Sequence, residues 1–175
     1  MNISYREVRS DVAYGVSGAC VTYPLSIATI EASRYLFEKW DIPFNRILLS
    51  KNFDWIYRSI GAIQSGLMRG IFKTFLAAYL IVVGPVLEEW AFRGVLYRYQ
   101  EIHMSMPVRI LSNATAFGAI HLSYFHGLAS IPYFLVATIA GVVYACLREW
   151  TKSWHSSAIA HGISNACVIA LETLR

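Results

Sequence analysis

The chain has 175 residues, of which 56% are hydrophobic and only 15% are charged, with a formal net charge of +4 at pH 7. A chain of this length forms one domain, because two halves would each be too short to bury a core. Soluble domains carry about 25% charged residues, so this composition indicates a membrane protein. The positive residues lie mostly between apolar runs, as expected beside lipid headgroups, and we therefore exclude nucleic acid as a partner.

Three long segments contain no Asp, Glu, Lys or Arg: residues 12–30, 110–147 and 153–171. An apolar run of about 20 residues spans the hydrocarbon core as a helix, and the second segment is long enough for two crossings. The predicted fold class is therefore all-α, a polytopic transmembrane helix bundle over residues 1–175 with the site inside the bundle. We expect a multi-pass protein whose partner is the lipid bilayer, which in a bacterial cell would be the plasma (inner) membrane.

In chain order, the first helix is predicted over Asp11–Tyr35 and is kept as a membrane helix, because no signal-peptide cleavage site follows it. The residues Trp40–Ser59 mix aromatic and charged side chains, which is typical of an interfacial segment. The second helix begins near Gly66 to Ile71 and reaches Tyr99. It is longer than the ~30 Å apolar core, so we expect it to tilt, protrude or kink at Gly84-Pro85.

The later spans are predicted at about 108–122, 131–147 and 154–173, with a polar connection at 123–130 and a charged turn at 148–153. Three histidines fall in or beside connections and are expected at the interface: His103, His126 and His155. Three cysteines lie inside apolar runs: Cys20, Cys146 and Cys167. Their odd number argues against a disulfide framework, and we expect them to be small buried hydrophobes.

Two adjacent acids, Glu88 and Glu89, follow the stretch Thr74–Leu87, which has no charged side chain. A charge at bilayer depth is costly and survives mainly where it is paired or does chemistry. Because residues four apart share a helix face, Glu89 is expected to pair with Arg93, whereas Glu88 points about 100° away and is free for another role. Taken alone, the pattern is also typical of a solvated ion pair where a helix leaves the bilayer.

Polar residues also interrupt two later uncharged segments. His121 ends the stretch Phe117–His121, and His161 and Asn165 lie four residues apart on one face of the last helix. A lone histidine of this kind is more often a hydrogen-bonded core residue, and a lone asparagine more often joins two helices. Three helices that bring polar side chains to one place are, however, the way in which helix bundles build sites.

Together these elements resemble the CAAX protease and bacteriocin-processing family (CPBP, or Abi-type), whose members are intramembrane glutamic endopeptidases. The first motif of that family, Glu-Glu-x-x-x-Arg-Gly, matches Glu88 to Gly94. The second, Phe-x-x-x-His, matches Phe117 to His121, and the third, His-x-x-x-Asn, matches His161 to Asn165. The resemblance covers about residues 71–171, and the three motifs in this order on successive apolar segments are a specific signal.

The resemblance implies a membrane-embedded CAAX-type endopeptidase that hydrolyses a peptide bond of a membrane-associated protein or peptide with an activated water, without a cofactor. Glu88 would be the general base, and His121 would hold or polarise the water. His161 and Asn165 would stabilise the oxyanion, where the loss of one donor costs about 10²–10³ in rate. The structural support of the site would come from two further residues, Glu89 and Arg93.

Two other interpretations of the same residues stay open. Glu88, His121 and His161 are the ligand types of a catalytic zinc site, so a zinc metalloprotease is one alternative. The other is a non-enzymatic membrane scaffold or immunity protein that keeps the polar cluster for helix packing or partner binding. The substrate also stays open among prenylated CAAX proteins, signal or leader peptides, and membrane-protein anchors.

Overall fold

The computed structural model describes residues 5–39, 63, 65–122 and 130–173. Regular structure in this part of the chain is entirely helical, which confirms the predicted all-α helix bundle. The interfacial segment predicted at 40–59 and most of the connection predicted at 123–130, with His126, lie outside the described residues. Five helices are described: α1 (Tyr5–Lys39), α2 (Gly66–His103), α3 (Met106–Ala119), α4 (Ile131–Thr151) and α5 (His155–Thr173).

Helices α4 and α5 form the centre of the bundle, because α1 packs against both of them and α3 packs against α4. The middle of α2 lies against α5, and its later part contacts α3 and α4. The core at these contacts joins the aromatic residues Phe117 and Tyr144 to small residues such as Ala140 and Ala160. Small residues let helix backbones approach closely, which favours association of helices inside a bilayer.

Two of the described helices, α2 and α4, are long and apolar enough by length and composition to cross a membrane. The most apolar window of α2 has a mean hydropathy of 1.9 and only 11% of it is buried in the bundle, against 44% for α4. The exposed side chains of α2 include Leu67 and Phe75, which are 75% and 72% exposed. Helix α2 therefore offers a broad apolar face outside the bundle, as expected of a helix that faces lipid.

Helix α2 accommodates Pro85 by a local change of winding. A π-helical turn, Tyr79–Val83, lies immediately before Gly84-Pro85, and a second one, Trp90–Leu96, follows Glu89. Proline lacks the backbone N–H that an α-helix needs, and inserted π-turns are one way in which a helix absorbs such an interruption. The acidic pair thus sits on a short α-helical stretch between two π-turns.

The charged turn predicted at 148–153 is wrong in its first four residues. Helix α4 continues to Thr151, and Arg148 and Glu149 are buried in it. The turn begins only at Lys152, which adopts the left-handed conformation (φ 56°) that ends many helices. The expectation of buried cysteines also fails for Cys20, which is exposed.

Candidate active site

Glu89 is the most buried acid of the first motif, with no exposed surface. Its Oε1 accepts a hydrogen bond from Nη1 of Arg93 at 3.1 Å, and the Arg93 side chain is also fully buried. The predicted pairing of residues four apart is therefore present. The other carboxylate oxygen of Glu89, Oε2, is buried and makes no hydrogen bond within the described part of the chain.

Arg93 is held from several sides. Its Nη2 donates to the backbone oxygen of Gly141 on α4 at 2.9 Å, and its guanidinium carbon lies 4.5 Å from the ring centre of Phe117 and 5.4 Å from that of Tyr144. A side chain at position 141 would bring a Cβ to within 3.2 Å of Nη2, so the glycine gives the guanidinium access to the backbone. These contacts fix α2 against α3 and α4 at the level of the acidic pair.

His161 joins α5 to the same carboxylate. Its Nδ1 lies 3.1 Å from Oε1 of Glu89, across 72 positions of the chain, and the residue is buried. A carboxylate can only accept, so Nδ1 carries the hydrogen and Nε2 is left for another partner. The imidazole stacks on the Tyr144 ring, with centroids 5.1 Å apart and an interplanar angle of 22°. Glu89 and Tyr144 together set the orientation of this ring.

His121 lies just beyond α3, and its Nδ1 is 2.9 Å from the backbone oxygen of Phe117. Nδ1 is again the donor, and Nε2 has the free lone pair. The imidazole lies 5.0 Å from the Phe117 ring, and the His161 ring lies 5.7 Å from the same Phe117 ring. The two histidines, which belong to different segments, thus flank one aromatic side chain.

Glu88 differs from its neighbour. It is partly buried, its Oε2 is inaccessible to solvent, and that oxygen has no hydrogen-bond partner among the described residues. Buried polar atoms are nearly always hydrogen-bonded, so an unsatisfied carboxylate oxygen next to the Glu89–Arg93–His161 cluster in sequence indicates a place where a water or a ligand binds.

Asn165 contacts α2 at an earlier position than the acidic pair. Its Nδ2 donates to the backbone oxygen of Leu80, in the first π-turn, at 2.9 Å. The structure therefore brings three of the six predicted site residues into direct contact, Glu89, Arg93 and His161, and places His121 beside them through Phe117. Asn165 lies one helical turn beyond His161 on α5.

A zinc site of Glu88, His121 and His161 is not assembled as such. Within the residues that the structure describes, no three His, Cys, Asp or Glu side chains are arranged to hold a metal ion. His161 directs Nδ1 to Glu89 instead. The expectation that the site works without a metal stays a prediction.

A second buried acid, Glu149, was missed at the sequence level. Its Oε1 accepts from Oη of Tyr97 at 2.7 Å and also pairs with Arg109, and its Oε2 accepts from Nζ of Lys152 at 2.7 Å. Next to it, Nε of Arg148 donates to the backbone oxygen of Arg93 at 3.1 Å. The only sequence signal was the pair of charges at the end of an apolar run, which is equally typical of an exposed turn.

Fold and site together define an all-helical protein with two helices apolar enough to cross a membrane and a buried carboxylate, Glu89, bonded to Arg93 and His161. A family model described as type II CAAX prenyl endopeptidase Rce1-like matches residues 69–167, more than half of the chain, and the chain belongs to that family. The match contains all three motifs and confirms the resemblance noted from them. A search of curated proteins and a search of solved structures give no match.

Membership of this family indicates a protease, hence a hydrolase, whose substrate is a protein or peptide. Together with the two apolar helices α2 and α4, it also indicates a membrane protein.

Proposed function

We propose that this protein is a CAAX-type intramembrane endopeptidase in which Glu88 activates a water that attacks a peptide bond. The observation that carries the proposal is the contrast between the two acids of the first motif. One oxygen of Glu89 is already bonded to Arg93 and His161, whereas neither oxygen of Glu88 accepts a hydrogen bond in the described part of the chain and its Oε2 is buried.

The water would bind between Glu88 and Nε2 of His121. Nδ1 of His121 donates to the Phe117 carbonyl, so Nε2 can accept one hydrogen of the water while Glu88 removes the other as the oxygen attacks. Glu88 then gives this proton to the leaving amine when the C–N bond breaks. The Glu88 carboxylate is thereby regenerated, and no covalent intermediate is formed.

The developing oxyanion would accept hydrogen bonds from Asn165 and His161. The Asn165 amide has two N–H groups, of which one donates to Leu80 and the other is available to substrate. His161 can donate from Nε2 when its ring carries both protons, because the Nδ1 hydrogen is already taken by the Glu89 carboxylate. Donors of this kind act strongly because they are oriented before the reaction and are screened from water.

The substrate would be a membrane-associated protein or peptide that reaches the site from the bilayer. The apolar outer face of α2 and the uncharged segments around the motifs support a multi-pass arrangement. Prenylated CAAX proteins, leader peptides and membrane anchors are all substrates of this kind. Neither nucleic acid nor a cofactor has a part in the proposed reaction.

The proposal is tested with Glu88→Gln, which keeps the side-chain shape and removes the base. We expect the substrate to accumulate uncleaved in membrane fractions of cells with Glu88→Gln, and not in cells with Glu38→Gln, a change of an exposed acid on α1. With the purified protein and a substrate found in this way, kcat should fall by about 10²–10⁴ because general base catalysis is lost. If the two membrane proteomes are identical and the wild-type protein cleaves nothing, the scaffold interpretation replaces this one.

A further inference from the structure

The backbone oxygen of Leu80 has lost its donor on α2. In the π-turn the N–H of Gly84 donates to Tyr79, five residues earlier, and not to Leu80 as it would in an α-helix. The next residue in that π pattern is Pro85, which has no N–H to give. Both the α-helical and the π-helical donors of the Leu80 carbonyl are therefore missing, and a carbonyl inside a bundle needs another one.

Helix α5 supplies a donor for the Leu80 carbonyl, and that donor is a residue of the candidate site, Asn165. Nδ2 of Asn165 lies 2.9 Å from the Leu80 oxygen. The approach depends on Gly162, because a Cβ at that position would lie 2.5 Å from the backbone oxygen of Ile81, another carbonyl of this turn. Since His161 and Asn165 lie on either side of Gly162, the same approach brings both motif residues to α2.

We propose that Pro85 is a positioning residue for the hydrolysis reaction, which acts by leaving the Leu80 carbonyl free to hold Asn165. An amide that donates one N–H to a fixed carbonyl has its plane and its second N–H fixed as well. The second N–H is the one that the proposed function assigns to the oxyanion, so this inference rests on that function. An oxyanion donor must be oriented before the charge develops, since reorientation during the reaction would cost most of its effect.

Replacing Pro85 should change catalytic activity and stability in different ways. A proline inside a helix destabilises it, so Pro85→Ala should leave the melting temperature unchanged or raise it. The Pro85→Ala change adds a backbone N–H, which would compete with Asn165 for the carbonyls of this turn. The Asn165 side-chain amide would then lose its fixed orientation. We expect kcat to fall by about 10-fold or more, as part of the ~10²–10³ that a lost oxyanion donor costs, with KM changed by no more than about twofold.

Pro107→Ala is the matched control. Pro107 lies in the first turn of α3, where no helical donor is needed from its nitrogen. This variant should keep wild-type kcat and KM. A Pro85→Ala protein with wild-type kcat would overturn the inference, and so would one that loses kcat only in proportion to the fraction unfolded.

A double-mutant cycle with Asn165→Ala tests whether Pro85 acts through the amide. If it does, Pro85→Ala lowers kcat in the wild type and has no further effect in the Asn165→Ala background. Two fully multiplied losses would overturn the inference. Asn165→Ala that turns over normally per folded molecule would instead overturn the oxyanion role in the proposed function, so the two failures are distinguishable.

Discussion

Two buried acid clusters lie along α2, and they differ in how completely their hydrogen bonds are satisfied. In the first, which we call the Glu149 cluster, each carboxylate oxygen of Glu149 has at least one donor: Tyr97 and Arg109 on Oε1 and Lys152 on Oε2. Arg109 is itself held over the Tyr97 ring, 5.8 Å from its centre. The cluster joins α2, α3 and α4 near one end of the bundle.

The second, the Glu89 cluster, is less complete. One oxygen of Glu89 receives both Arg93 and His161, while its other oxygen and Oε2 of Glu88 are buried without a partner among the described residues. A satisfied buried network stiffens a fold, and an unsatisfied one is costly unless something binds there. Both clusters contain buried charges, so what distinguishes the Glu89 cluster is that two of its carboxylate oxygens have no donor among the described residues.

The largest loss of stability is expected from Glu89→Gln. The change leaves the Arg93 guanidinium fully buried without a compensating charge, and breaking a buried pair on one side costs about 3–5 kcal/mol. Activity should fall too, because His161 loses the carboxylate on Nδ1. Unfolding in detergent, followed by helical signal, and turnover per folded molecule measure the two effects separately.

A double variant, Glu89→Gln with Arg93→Met, sharpens this prediction. Removing both charges should recover much of the lost stability, since a buried ion pair can often be replaced by apolar side chains. It should not recover activity, because the orientation of His161 still depends on Glu89. If the double variant is active, Glu89 has no role in the site beyond neutralising Arg93.

A smaller loss is expected from Glu149→Gln, and it should be confined to stability. Hydrogen bonds to a charged group contribute about 1.5–3 kcal/mol, and Arg109 and Lys152 are partly exposed, so water can replace some of what they lose. The melting temperature should fall by less than in Glu89→Gln, with kcat and KM per folded molecule unchanged. A change in kcat at full folding would contradict the division of the two clusters into structural and chemical.

Much of the fold was predictable because the positions of the helices follow from where charged side chains are absent. The absence of charged side chains from 131–147 and 153–171 located α4 and α5 to within a few residues, and the predicted helix from about residue 66 to Tyr99 corresponds to α2. The error at 148–153 has a physical reason. Arg148 and Glu149 look like surface residues until their partners on other helices are known, and those contacts are 40 to 55 positions away in sequence.

In the candidate site, too, contacts within one helix were predictable and contacts between distant segments were not. The Glu89–Arg93 pair was predictable since residues four apart on a helix meet by geometry alone. Proline always lacks an N–H, so the loss of the α-helical donor to Ile81, four residues before Pro85, was predictable, whereas the release of Leu80 depends on the π-turn. That Asn165 would take this carbonyl, and that His161 would contact Glu89 and not Glu88, depends on how α5 packs on α2, and no local pattern encodes it.

The smallest effect, no change at all, is expected from chelation of metal ions. A zinc ion would need Glu88, His121 and His161 to converge, and no such group is arranged for a metal among the residues that the structure describes. Each histidine uses Nδ1 for its hydrogen bond, and no partner of Nε2 is found among the described residues, so the donor types for a metal are present. We expect the purified protein to contain far less than one zinc per chain and to keep its kcat after prolonged dialysis against a chelator.

Glu88→Gln is the control for that measurement, because it removes one of the three candidate ligands. If water alone occupies the site, the variant and the wild type should show the same low zinc content. One zinc per chain in the wild type, less in Glu88→Gln, and activity that is lost with the metal and restored by adding it would mark a metalloprotease. The unmet oxygen of Glu88 would then be a ligand position, and the Glu89 cluster would be incomplete only until its metal binds.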